Sequence, residues 1–248
     1  MKLSNKNYNR IKDSFNASKS IITLIGLTIM LQYSAFAQND CSKFYPFTKG
    51  TSFQITSYNK KGKTVAVSNY AVQKIQKINN AKVATISVSL KDNKGKEIGS
   101  SSYHITCTGN EVSVDYNSLM NSELFKQFKN MKYKISGKNL ILPNTLSTGQ
   151  SLPDAGIEIK VNMGGFNMHI TNSELNRKVI DKEKISTPAG TFNCFVITYT
   201  SKMKSTMVNR IGKGKQWIAK GVGLVKEEDY NRKGSLVNSS VLTAFNKN

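Results

Sequence analysis

The chain has 248 residues, with 36 Lys and Arg against 15 Asp and Glu, giving a formal net charge of +21 at pH 7. Two histidines and three cysteines are too few for a His-rich or multi-Cys metal centre and sharply limit His-dependent acid–base chemistry. Beyond the N-terminal region no apolar run approaches the roughly 20 residues that a helix needs to span a bilayer.

Taken in chain order, the first 37 residues read as an export signal. Five cations (Lys2, Lys6, Arg10, Lys12, Lys19) precede an apolar run from Ile21 to Leu31, and Ala35-Phe36-Ala37 supplies the small residues that a signal peptidase recognises. Cleavage after Ala37 would leave residues 38–248 as one β-rich domain, soluble in the periplasm or secreted, with no transmembrane span. It would also remove five basic and one acidic residue, leaving a net charge of +17. Cys41 follows Gln38-Asn39-Asp40, whereas a lipoprotein signal has small or aliphatic residues there, so lipidation is not expected.

Asn59-Lys60-Lys61-Gly62, Asp92-Asn93-Lys94-Gly95 and Asn231-Arg232-Lys233-Gly234 repeat one turn chemistry. Asn or Asp bonds forward to the backbone and Gly takes positive φ, so each predicts a β-hairpin. Between the turns, Ala84, Ile86, Val88 and Leu90 alternate with mostly polar residues, a period of two. Four strands are expected from Phe53 to Tyr116. Residues 117–131 predict the principal helix, capped by Asn117 or Ser118, with Leu119, Met120, Leu124, Phe125, Phe128 and Met131 on one broad face. A short strand or two and a loop follow to Gly156. From Ile157 to Phe245 six or seven more strands are expected, beginning with the alternation Ile157, Ile159, Val161, Met163 that resumes after Gly164-Gly165 at Phe166, Met168, Ile170. The fold expected is mainly β: a strongly curved antiparallel sheet or incomplete barrel of hairpins with one principal helix.

Little in this pattern carries catalytic chemistry. Alternation places His104 with Ser102 and Thr106, and His169 with Asn167 and Thr171, on the polar faces of their strands. Glu227, Glu228 and Asp229 form the one acidic cluster; neighbours on a strand point to opposite faces, so they read as solvated partners of lysines. No HExxH, CxxC, nucleophile elbow or P-loop is present, and no catalytic, cofactor-binding or metal-binding residue is assigned. For an odd cysteine count in an oxidising compartment, one disulfide and one core thiol are expected. Cys194 lies between Phe192 and Val196 on an apolar strand, which favours pairing Cys41 with Cys107, although spacing does not fix connectivity. The lysines are scattered rather than blocked with aromatics, so nucleic acid is not the expected partner. Met120, Phe125, Phe128, Met131, Met163, Phe166 and Met168 read either as ordinary core or as the lining of a hydrophobic ligand cavity under the helix.

Three segments together resemble a family of exported Gram-negative proteins of unknown function, often labelled TapB-like. They are Cys41-x-x-Phe44-Tyr45-Pro46-Phe47-x-x-Gly50-Thr51, Thr187-Pro188-Ala189-Gly190-Thr191-Phe192-x-Cys194, and Trp217-x-Ala219-Lys220-Gly221-Val222-Gly223-Leu224-Val225-Lys226. The resemblance implies an exported β-rich protein and carries over no activity or site residue. The architecture is also similar to the half-barrel of periplasmic lipoprotein carriers. The reading is an exported, non-catalytic envelope binding or assembly protein, engaging a lipid-like or protein partner through an apolar cavity and a basic surface. A purely structural envelope component is the alternative. Several inward-facing ionisable groups would instead favour a cavity enzyme.

Overall fold

Period-two alternation over most of the chain produces one antiparallel sheet of 13 strands in the computed structural model, which describes residues 41–115, 132–162, 167–206 and 209–248. The strands are β1 (Ser52–Asn59), β2 (Thr64–Ile78), β3 (Ala81–Asp92), β4 (Glu97–Cys107), β5 (Glu111–Asp115), β6 (Lys132–Lys138) and β7 (Leu140–Pro143), then β8 (Ala155–Asn162), β9 (Asn167–Thr187), β10 (Gly190–Lys204), β11 (Asn209–Ala219), β12 (Gly223–Asn231) and β13 (Leu236–Asn246). They pair in the order β6-β8-β9-β10-β11-β12-β13-β1-β2-β3-β4-β5-β7. The first region holds five strands where four were expected, because β5 returns after Gly109 through only five residues. There is no helix among the described residues. The helix expected over 117–131 lies outside them, with Met120, Phe125, Phe128 and Met131, as do Met163 and Phe166.

The three repeated turns have the same construction. Asn59 Oδ1 accepts from Lys61 N at 2.9 Å and Lys63 N at 3.2 Å, and Gly62 sits at φ 73°. Asp92 receives Lys94 N and Lys96 N, and Asn231 receives Lys233 N and Ser235 N, all between 2.8 and 3.0 Å. The side chain thus satisfies amides that the tight turn withdraws from the ladder.

The two edges of the sheet meet. β6 and β7 stand at opposite ends of the pairing order, yet only Asn139 separates them in the chain. Consecutive Cα atoms are 3.8 Å apart, so Lys138 and Leu140 lie within about 7.5 Å and the sheet must curl until its edges come together. A bulge in β9 helps to hold this closure. Asn176 takes φ 55°, and its N–H donates to Asp154 Oδ1 at 2.7 Å. Beyond it, Leu152 N donates to Arg177 O, Val179 N to Gln150 O and Gly149 N to Val179 O, a short ladder that sews the chain following β7 onto β9. The guanidinium of Arg177, 2% exposed, donates through Nη1 to Ile141 O at 3.0 Å and Pro153 O at 2.9 Å.

The N-terminal strap fills the space that the curl creates. Phe44 is fully buried among Leu142, Leu146, Leu152, Val179, Ile197 and Ile218, while Phe47 packs on the Val72, Ile86 and Ile105 cluster. Tyr45 touches both clusters. Asn144 accepts from Lys43 N and donates to the carbonyls of Cys41 and Gly109 at 2.7 and 2.8 Å. Cys41 is joined to Cys107 of β4, with Cα atoms 5.8 Å apart, so its sulfur is committed to a disulfide; Cys194 is a buried free thiol. The disulfide closes a loop with a sequence separation of 66 residues. The Cys41→Ser, Cys107→Ser variant should therefore lose about 4 kcal/mol of stability. That corresponds to a melting temperature lower by roughly 10 °C in a thermal scan; an unchanged value would show that the strap is held by packing alone.

Candidate functional site

Strands β10 to β13 carry a concentration of polar groups on the face shared with Ile197. Register aligns Ile197, Gln216, Glu227 and Ser240 in one cross-strand row, and Tyr199, Gly214, Asp229 and Asn238 in the next. Such residues share a face. Tyr199 Oη donates to Glu227 Oε1 at 2.7 Å and lies 3.4 Å from Asp229 Oδ1. Gln216 Nε2 donates to the same Glu227 oxygen at 2.8 Å, and Asn238 Nδ2 to Asp229 Oδ2 at 2.6 Å.

Gly214 makes this geometry possible. A Cβ there would fall 2.0 Å from Tyr199 Cζ, so the ring lies directly over the glycine and reaches across β11 to the carboxylates of β12. No other residue leaves that space open.

The β9 bulge brings a fifth strand into the cluster. In a regular strand residues three apart point to opposite faces; the extra residue at Asn176 lets Glu174 and Arg177 meet, with Nε 3.2 Å from Oε2. Burial pushes Glu174 up to about 7; Arg177 opposes the shift, while Glu227 and Asp229 add to it. Burial and then the neighbouring Glu227 also raise Asp229. Tyr199 is held far above the usual tyrosine range, mainly by burial and next by Glu227, so it is a hydrogen-bond donor at any physiological pH.

These groups line a cleft of about 970 Å³. Asn172, Glu174, Tyr199, Glu227 and Asp229 are joined in its lining by Arg210, Lys213 and Arg232, and by Met203 and Val237. Cations, carboxylates and exposed aliphatic side chains thus face a single space. The expectation for the acidic cluster needs correction. Glu228 does pair with Lys226 at 2.7 Å, and Tyr230 Oη donates to it. Glu227 and Asp229, however, stand two apart and converge on Tyr199. The signal was present in the i, i+2 spacing; what sequence could not supply was Tyr199 crossing a glycine to meet them.

Other singled-out residues lie elsewhere. Met168 is half-buried opposite Val161 and lines a smaller space of about 390 Å³ with Lys134, Lys160 and His169. His169 meets Glu158 at 2.7 Å, and His104 is exposed on β4. Cys194 is buried and its thiol pushed up to about 11, chiefly by burial. Trp217 donates Nε1–H to Glu183 at 2.7 Å and lies under the ammonium groups of Lys215 and Lys226, 4.5 and 4.7 Å from the ring centroid.

A family model described as DUF3108-like matches residues 48–242, which includes every residue that lines the cleft. The chain belongs to the DUF3108-like family. The TapB-like label rests on the three sequence segments alone. A presumed exported protein with a YmcC-like fold from Bacteroides fragilis superimposes with a TM-score of 0.67 at 23% identity, covering 84% of this chain and all of that one. A presumed lipoprotein from Parabacteroides distasonis gives 0.64 at 20% identity over the same shares. Both likenesses show the fold. The comparison with curated proteins found no match.

Two substitutions probe the site. Gly214→Ala should cost about 1–3 kcal/mol by displacing the Tyr199 ring, and most of that cost should vanish in a Tyr199→Ala background; additive effects of the two changes would break the assignment. Glu174 is raised from 4.5 to about 7, so the folded state holds a proton that the unfolded chain has released. Its contribution to stability is full below about 4.5 and lost as pH rises towards 7. Denaturant titrations should therefore show a steeper loss of stability over that window for the wild type than for Glu174→Gln; equal slopes would mean that Glu174 titrates as an ordinary carboxylate.

Proposed function

We propose that this chain is an exported, non-catalytic binding or assembly protein of the cell envelope, acting on a lipid-like or protein partner. The reading of residues 1–37 as an export signal supports the compartment, and so do a disulfide suited to oxidising surroundings and a fold shared with one protein described as exported and another described as a lipoprotein. The observation that carries the binding function is the cleft between β9 and β13. Its size is that of a small-molecule site, and its carboxylates are held in place by Tyr199, Gln216 and Asn238. Cations and aliphatic side chains share the lining, a combination that suits an amphiphile with a polar head. Of the residues expected to line a hydrophobic cavity, Met120, Phe125, Phe128, Met131, Met163 and Phe166 lie outside the described residues, and Met168 lines a separate space of about 390 Å³.

A second reading, a cavity enzyme, is favoured by one observation: Glu174 titrates near neutrality inside the cleft, where a proton-transfer group would be useful. Native mass spectrometry of gently extracted, untagged protein distinguishes these readings. A lipid or envelope protein retained near one-to-one supports the binding function, and a bare chain supports a purely structural component. The enzyme predicts that Glu174→Gln changes the chemical identity of the retained molecule rather than its occupancy.

A further inference from the structure

The three repeated turns are one surface. Every neighbouring pair from β10 through β4 is antiparallel, so β10, β12, β1 and β3 run in the same direction and their C-terminal connections share one end of the sheet. In pairing order, the connections at that end are β10–β11, β12–β13, β1–β2 and β3–β4, consecutive hairpins spaced roughly 10 Å apart. The last three carry exposed Arg232 and Lys233, then Lys60, Lys61 and Lys63, then Lys94 and Lys96. The β10–β11 connection adds exposed Lys202, Lys204 and Arg210. None of these cations forms a salt bridge among the described residues, whereas Lys160, Lys215 and Lys226 elsewhere do. Of the acids in the same turns, Asp92 is already engaged by two backbone amides, leaving exposed Glu97.

A second pattern coincides with the first. Three residues beyond each turn glycine stands an exposed aliphatic side chain: Val65 after Gly62, Ile98 after Gly95 and Val237 after Gly234, at 45, 52 and 41% exposure. Met203, next to the end of β10, is 41% exposed. Four of the six large exposed hydrophobic residues among those described therefore lie at this end, each beside cations. Val237 and Met203, together with Arg210 and Arg232, also line the cleft, so the cleft opens onto the same rim.

We infer that this rim docks on the surface of an anionic lipid bilayer, with the turn cations among the headgroups and Val65, Ile98, Met203 and Val237 in the interfacial layer. Charge alone would serve any polyanion; aliphatic groups repeated beside the charge are what an interface with hydrocarbon below it rewards. The inference rests on the envelope reading above and names the partner of the rim.

Vesicle flotation tests it, using the protein as cells mature it and phosphatidylcholine vesicles with or without phosphatidylglycerol. Binding to the anionic vesicles should be about tenfold tighter or more at low salt, and most of it should be lost at about 0.5 M salt. The charge-neutral variant Val65→Thr, Ile98→Thr, Val237→Thr should weaken vesicle binding severalfold and leave retention on heparin unchanged. Lys61→Gln with Lys233→Gln should weaken it more than Lys77→Gln with Lys220→Gln, an equal loss of charge at the other end. Unchanged melting temperatures would confirm that these exposed substitutions leave the fold intact. Equal effects of the two charge pairs, or heparin retention without vesicle binding, would overturn the rim as a membrane surface. Absence of vesicle binding with a partner still retained in native mass spectrometry would remove this inference and leave the binding function standing.

Discussion

The guanidinium of Arg177 occupies the place where the two edges of the sheet come together. Its donors reach the carbonyls of Ile141 in the edge strand β7 and Pro153 in the loop beyond, while Nε faces Glu174. A charge 2% exposed needs compensation, and the carbonyls that accept from Nη1 belong to segments that no regular ladder would hold to β9. The bulge at Asn176 is what turns Arg177 towards them. Local backbone geometry thus decides whether 13 strands remain an open sheet or curl until the edges meet.

The same bulge organises the cleft. By shifting the phase of β9 it sets Glu174 on the face of Tyr199, where the carboxylates of β12 already converge. A site of this kind is a collective property: Glu174 and Asp229 are partly desolvated and the charge of Glu227 raises both further, while Tyr199, Gln216 and Asn238 neutralise part of the burden through hydrogen bonds. The strap from Cys41 to Phe47 supports this arrangement on the same face, because Phe44 packs on Ile197 and Ile218 of the two strands that carry Tyr199 and Gly214.

What the sequence made legible was chemistry that acts within a few residues. The three hairpin turns follow from Asn59, Asp92 and Asn231 capping their own amides, and the strand faces follow from alternation. Arg177, Gly214 and the inward pair Glu227 and Asp229 were not legible, for one reason: each owes its role to a partner more than ten residues away. A lysine-rich chain gives no sign that one arginine will be buried, and a glycine in Gly212-Lys213-Gly214 looks like flexibility until a tyrosine from the next strand lies across it. The common end of the turns was equally hidden, since it depends on pairing order rather than spacing.

Closure between the segment after β7 and the bulged part of β9 is what joins the edges of the sheet. Amide hydrogen exchange reads it directly at Gly149, Leu152 and Val179, whose N–H groups form that short ladder. These amides should exchange as slowly as those in the centre of the β10–β11 pair, and Arg177→Leu should accelerate them selectively while β2 and β3 keep their protection. Exchange at the rate of an exposed loop in the wild type, or equal acceleration everywhere in the variant, would show that the edges are not joined in this way.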